Sequence, residues 1–208
     1  ARSCADLGLP IVFVTLASRQ GYLRQELGPD GIQVDHPDPW DLEERTTPLD
    51  AAVSIRLEGR SVWIRPWMHV HKSTSGGAVP TIFLDTCLNV NAPEDRAITD
   101  RLYGGDATLR LKQEAILGIG GERILRALGF EIETYHLNEG HAALLPLGLL
   151  RRHPRAPIRP SEGPMSYDLD PVRSCCIFTT HTPVEAGHDR FPYDLVKHVL
   201  GGFMELDQ

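Results

Sequence analysis

The sequence predicts an α/β fold built on parallel strands, and three observations carry that reading. Residues 10–17 (PIVFVTLA) and 81–85 (TIFLD) are short, β-branched apolar runs that read as buried strands. In the C-terminal half a strand pattern is followed by a helical one twice, at residues 131–150 and 173–200. Repeated strand-then-helix order is the signature of βαβ units, which bind ligands where strands end and helices begin.

The elements follow in order. After the first strand, residues 19–27 (RQGYLRQEL) are amphipathic and stop at a GPDG turn over 28–31. Residues 35–48, rich in Pro and acidic side chains, read as loop. Residues 53–57 and 61–67 alternate apolar and polar positions around Glu58-Gly59, which predicts a β-hairpin. Residues 71–79 (HKSTSGGAV) read as a flexible loop before the strand at 81–85. The longest helical pattern spans 109–128, with Leu109, Ile116, Leu117, Ile124, Leu125 and Leu128 near one face. Gly118, Gly120 and Gly121 each weaken it by about 1 kcal/mol relative to Ala. Three glycines together point to close packing on a neighbour, and Gly129 supplies the stop. Residues 131–137 form the next strand, with Asn138 placed to cap a helix over 139–150. Five prolines make 151–171 an exposed loop. Residues 173–182 (RSCCIFTTHT) read as a buried strand with a polar end, and 192–200 as a last short helix.

Composition excludes some functions. A chain of 208 residues with 41% apolar and 24% charged residues can bury a substantial core. Its formal charge of -7 argues against binding nucleic acid, which needs clustered Lys and Arg. No apolar stretch approaches the roughly 20 residues that span a membrane. Cys4, Cys87, Cys175 and Cys176 contain no CxxC and no regular framework, which fits a reducing, cytoplasmic compartment.

Candidate chemistry sits at the two strand-to-helix junctions. The first, residues 135–141 (YHLNEGH), gathers an amide, a carboxylate and imidazoles suited to hydrogen-bonding sugar hydroxyls. Its plain alternative is helix capping by Asn138 and Glu139. The second, residues 179–189 (TTHTPVEAGHD), places His181 just past a strand, as a ligand-orienting group or as a loop His held by a backbone carbonyl. His136, His141, His181, His188, Asp189 and Glu139 also form the usual inventory for a metal, but without HExxH or paired-His spacing, so no metal is expected.

Five segments resemble the shorter bacterial and archaeal α-glucan phosphorylases, in order along nearly the whole chain. They are RQGYLRQELGPDGIQ (19–33), NAPEDRAITDRLYGGD (91–106), LRLKQEAILGIGG (109–121), HLNEGHAAL (136–144) and FTTHTPVEAGHDRFP (178–192). The resemblance implies transfer of a terminal glucosyl unit from an α-1,4-glucan to inorganic phosphate, giving glucose 1-phosphate. It implies a Rossmann-like domain of a two-domain B-type glycosyltransferase fold, with a β-hairpin insertion. Residues 1–208 would be an incomplete part of its N-terminal, glucan-side domain, with 151–171 a Pro-rich loop inside it. The C-terminal domain, with the Lys that holds pyridoxal phosphate and the basic residues that hold phosphate, would lie outside the chain, as would a Gly-rich segment expected before residue 1.

By position, His181 matches the family's active-site His, which contacts the transferred glucosyl unit, with Thr180 and Thr182 flanking it. Asn138, Glu139 and His141 match the segment lining the sugar site, and Tyr103 to Asp106 the gating loop with its acidic Asp106. The expected partners are the glucan and phosphate, with a homo-oligomer as a family trait. The isolated chain is expected to be inactive. The alternatives are a non-catalytic maltodextrin-binding module and, from the His cluster, a metal-dependent hydrolase.

Overall fold

The structure is a computed structural model, and it describes residues 1–21, 23–102, 105–155, 166–184, 188–201 and 203. A short helix α1 (Arg2–Asp6) leads to β1 (Phe13–Leu16), formed by the β-branched run. The GPDG turn joins β2 (Leu23–Leu27) to β3 (Gln33–Pro37) in an antiparallel hairpin. All five residues of β2 are exposed, so the amphipathic pattern there buries neither face.

The segment read as loop over 35–48 carries more order than its Pro and acidic content suggests. It holds the end of β3, then α2 (Leu42–Arg45) and β4 (Thr47–Pro48). Two apolar residues anchor it. Leu42 is fully buried with Ala17 and Trp67, and Trp40 packs edge-on against Phe83 with ring centroids 5.3 Å apart.

β5 (Val53–Leu57) and β6 (Arg60–Lys72) form the expected hairpin. Glu58 and Gly59 have φ of 49° and 76°, the pair of positive values that a two-residue hairpin turn of this hand requires. β6 continues into a second antiparallel pairing with β7 (Ala78–Asp85). Residues 71–79 are therefore the tip of a hairpin and not a flexible loop. His71 pairs with Val79 and Lys72 with Ala78, and the Ser73 N–H donates to Gly77 O at 2.8 Å. The sheet runs β1-β7-β6-β4, with β5 also on β6; β1 joins β7 in parallel and the other pairs are antiparallel.

β7 ends in Asp85, whose side chain is fully buried. Its burial is matched by surrounding donors: Arg19 at 2.6 and 3.2 Å, Trp67 Nε1 at 3.1 Å and Cys87 N–H at 3.0 Å.

Beyond α3 (Pro93–Arg96) the long helical pattern forms as one rod in three parts. These are α4 (Ala107–Ala115), a π turn (Ile116–Gly120) and α5 (Gly121–Ala127). The close packing expected of its glycines is present. A Cβ on Gly118 would lie 2.6 Å from Leu145 N, one on Gly120 2.5 Å from Ile64 Cδ1, and one on Gly121 3.3 Å from Val14 Cγ1. Ile116, Ile119 and Ile124 join Ile64, Ile82 and Leu84 in the main core.

The second parallel unit follows. β8 (Tyr135–Asn138) leads through a 3-10 turn (Gly140–Ala142) to α6 (Leu145–Leu150), and a small ladder pairs β9 (Pro154–Arg155) with β10 (Ser166–Tyr167). Then come α7 (Asp170–Cys175) and β11 (Cys176–Thr179), parallel to β8, and finally α8 (Tyr193–Leu200). The Pro-rich stretch at 151–171 thus contains short paired segments, and its residues 156–165 lie outside the described residues.

Two strand readings are corrected here. The strand expected over 131–137 is confined to Tyr135–Asn138, because only that part meets β11. The buried strand expected over 173–182 divides: 173–175 close α7, and β11 covers only four residues. Ile177 and Phe178 are 55% and 57% exposed; as successive strand residues they point to opposite faces, so both faces of β11 are open there among the described residues.

Replacing Gly118 by Ala should destabilise the native gene product by about 1–3 kcal/mol, because the new methyl meets backbone rather than a movable side chain. Gly121→Ala should be nearly neutral, its milder contact offset by about 1 kcal/mol of helix propensity. Urea unfolding of the two variants checks the contrast.

Candidate active site

The β8–β11 register sets Asn138 opposite Thr179, so the segments leaving both strands start level with one another. Glu139 N–H donates to Thr179 O at 2.8 Å, which locks the first residue past β8 to the end of β11. To make this turn, Glu139 adopts φ 59° and ψ -164°, a region occupied almost only by glycine. The turn carries its carboxylate under the neighbouring loop. Oε1 accepts the backbone N–H groups of His181 at 3.2 Å and Thr182 at 2.7 Å, and lies 3.2 Å from His181 Nδ1.

These donors decide the ionisation of Glu139. A hydrogen bond from the Thr182 side chain, then the two backbone amides and the neighbouring His181, hold its carboxyl below the usual range despite burial. An ionised carboxylate only accepts, so Nδ1 of His181 is the donor in that contact. His181 Nε2 faces Asn138 Oδ1 at 3.2 Å, a partner whose amide can present oxygen or N–H. The imidazole is therefore fixed from two sides while 59% of its side chain stays exposed, open to a ligand.

The capping alternative fails for both residues. Neither the 3-10 turn nor α6 has a side-chain cap, and Asn138 and Glu139 direct their oxygens to the His181 loop instead. Of the other sequence candidates, Thr182 lies in the cluster and Thr180 is exposed beside it. His136 is tied to Thr179 Oγ1 at 2.6 Å, and His188 is exposed. Asp106 caps α4 by accepting the Leu109 N–H at 2.9 Å. Tyr103 and Gly104 of that loop, and Glu185 to Gly187, lie outside the described residues.

A second cluster adjoins the first. Asp189 forms a short ion pair with Arg110 on α4. One turn further along, Glu114 is 7% exposed, and one polar atom each from Glu114, His141 and Asp189 falls within 4.8 Å of the others. Burial first, then the Asp189 carboxylate, pushes the Glu114 carboxyl up to about 8, against the opposing pull of Arg110. At neutral pH it is an uncharged acid hydrogen-bonded to Asp189. Only His141 and Asp189 of the six metal-type residues named from sequence belong to this group, and Arg110 already balances Asp189 there. Arg110 and Glu114 were not singled out as site residues. Their i,i+4 spacing on α4 is the available signal.

The chain's lysines are Lys72, Lys112 and Lys197. Lys112 is engaged by Glu58 at 2.9 Å, Lys72 ends β6, and Lys197 lies on α8. Lys112 is held by Glu58 and Lys72 sits at a hairpin tip, so neither fits a Schiff-base anchor for pyridoxal phosphate.

The comparisons with known proteins bear on this geometry. Maltodextrin phosphorylase of Thermococcus litoralis is 36% identical over 98% of this chain, and glycogen phosphorylase of Mycobacterium tuberculosis 38% over 96%. The chain is homologous to a segment of the glycogen and maltodextrin phosphorylases. A more distant glycogen phosphorylase, from Aquifex aeolicus, is 26% identical over 94% of the chain. The chain spans about a quarter of the length of these phosphorylases, 24%, 24% and 28% respectively. No family model matches the chain. Among the described residues, no helix is long and apolar enough to cross a membrane.

Glu114 gives a signed pH dependence. Its folded value of about 8 lies above the ordinary 4.5, so the fold binds this proton more tightly than the unfolded chain does. Stability therefore falls as pH rises from about 4.5 to about 8, by on the order of a few kcal/mol. Glu114→Gln keeps a neutral hydrogen-bonding group and should flatten that slope in thermal unfolding scans between pH 5 and 8.

Proposed function

We propose that these residues form the glucan side of an α-1,4-glucan phosphorylase, acting within a longer polypeptide. The supporting observation is the His181 cluster: an imidazole clamped by Asn138 and Glu139 across the carboxyl ends of two parallel strands. Homology to phosphorylases over nearly the whole chain supports the same reading. The parent fold proposed is the two-domain B-type glycosyltransferase, with residues 1–208 in its N-terminal, glucan-side domain.

In the proposed reaction the glycosidic bond at C1 of the terminal glucose breaks and a bond from C1 to a phosphate oxygen forms. The leaving glucan oxygen gains a proton. The transition state resembles an oxocarbenium ion, so fixed dipoles near the ring stabilise it as charge develops. His181 is suited to that role because it needs no reorganisation. Glu139 holds Nδ1–H and the loop amides in place, leaving the exposed ring face to hydrogen-bond a sugar hydroxyl. Asn138 and Thr182 complete the cluster, while His141 and Asp106 line the same side of the proposed cleft. Phosphate and the proton donor come from outside these residues.

Glucose 1-phosphate release from maltodextrin by the native gene product tests the reading. Release should require phosphate and fall on the order of 10²-fold or more in His181→Ala, as when a preorganised transition-state donor is removed. Glu139→Gln should lower kcat more than it raises KM, since it loosens the His181 loop without removing the contact to sugar. Glucose release without phosphate contradicts phosphorolysis. A folded, cofactor-loaded protein that binds maltodextrin and releases nothing points to a non-catalytic binding module.

A further inference from the structure

Two thiols stand side by side where α7 gives way to β11. Cys175 is the last residue of the helix and Cys176 the first of the strand. Neither is in a disulfide, and both are partly exposed. The Cys175 thiol donates to Val172 O at 3.4 Å, and the Cys176 thiol is hydrogen-bonded to Cys175 in turn. The two sulfurs are therefore already in contact.

The pair sits at one end of the ladder that builds the site. Cys176 pairs with Tyr135, and the same register sets Thr179 opposite Asn138 at the other end. Both cysteines also pack against the cluster of Leu125, Tyr135, Leu137, Leu145, Leu149 and Val172. A covalent change at 175–176 therefore acts on a four-residue strand whose far end is Thr179, two residues before His181.

Joining these sulfurs closes a ring around a single peptide bond. Adjacent Cα atoms are about 3.8 Å apart, below the roughly 4.4–6.8 Å of ordinary disulfides. Such a ring is strained, and a strained disulfide is readily reduced. That suits a reversible modification rather than a structural staple. Burial first, then Cys175, pushes the Cys176 thiol up to about 11. The first attack is accordingly assigned to Cys175, while Cys176 closes the ring, a step in which proximity offsets poor ionisation.

We propose that Cys175 and Cys176 are a reversible oxidation site, closed into a vicinal disulfide by a small-molecule disulfide, and that closure loosens the β8–β11 ladder. The Cys175 sulfur, its proton lost to solvent, attacks one sulfur of the small disulfide; a mixed disulfide forms and one thiolate leaves. Cys176 then gives its proton to solvent and attacks the Cys175 sulfur, which expels the second thiolate. Two protein thiols are oxidised, one small disulfide is reduced, and the two protons pass through solvent to the released thiolates. Closure removes the Cys175 hydrogen bond to Val172 O and imposes the geometry of the ring on the first residue of β11. The inference holds whatever reaction the site performs.

Treating the native gene product with glutathione disulfide tests this, read by peptide mass after the remaining free thiols are alkylated. The peptide holding both residues should lose two hydrogens, take no alkyl label, and regain both thiols with a dithiol reductant. In Cys176→Ser the reaction should stop at a glutathione adduct on Cys175. Amides over 135–138 and 176–179 should exchange on the order of 10-fold faster in the oxidised protein than in the reduced one. A lasting glutathione adduct on the unmutated pair, a disulfide to any other cysteine, or thiols that stay unoxidised until the protein unfolds overturns the proposal. Ring closure with unchanged amide exchange overturns it as well.

Discussion

The close approach of the helical rod over 107–127 to everything around it is the constraint on which the site depends. Gly118 rests on the backbone at Leu144 and Leu145, Gly120 on Ile64, and Gly121 on Val14. Three near neighbours in sequence therefore touch α6, the antiparallel hairpin and the first parallel strand. The π turn at Ile116–Gly120 makes this possible, since its extra residue shifts the register within the rod. A side chain at Gly118 would press on the backbone that follows the turn carrying Asn138 and His141.

The rod also separates two carboxyl groups into different electrical roles. Glu139 faces backbone amides and the Thr182 side chain, which reward its charge and hold it ionised. Glu114, embedded in α4 beside Asp189, is desolvated and faces a like charge, which keeps it protonated near neutrality. Neighbouring acids whose environments push them apart are what a site needs when one group must only accept hydrogen bonds and another can donate. Asp85 has a structural role instead: its buried side chain accepts from four donors that fix the chain after β7.

Much of the local structure was legible in the sequence. The hairpin at Glu58-Gly59, the stop at Gly129 and the tight packing of the glycine-rich helix follow from backbone rules that operate within a few residues. The segment at 35–48 was less legible because composition hides what two residues can do: Trp40 and Leu42 are enough to fold it onto the sheet. The apolar run at 173–182 misled in the opposite direction. Hydrophobic patterning reports that Ile177 and Phe178 are suited to burial, and cannot report whether a neighbour covers them.

The same division holds at the site. The sequence by itself determined the α/β class, the two strand-to-helix junctions and the residue types gathered there, because periodicity and turn chemistry are local. Tertiary structure alone decided that Asn138 and Glu139 serve the His181 loop rather than cap a helix, since that depends on the parallel register of β8 against β11, forty residues apart. It alone brought Arg110 and Glu114 to Asp189. Pairing across such distances follows from where whole elements pack, a property of the assembled core that no short window of sequence contains.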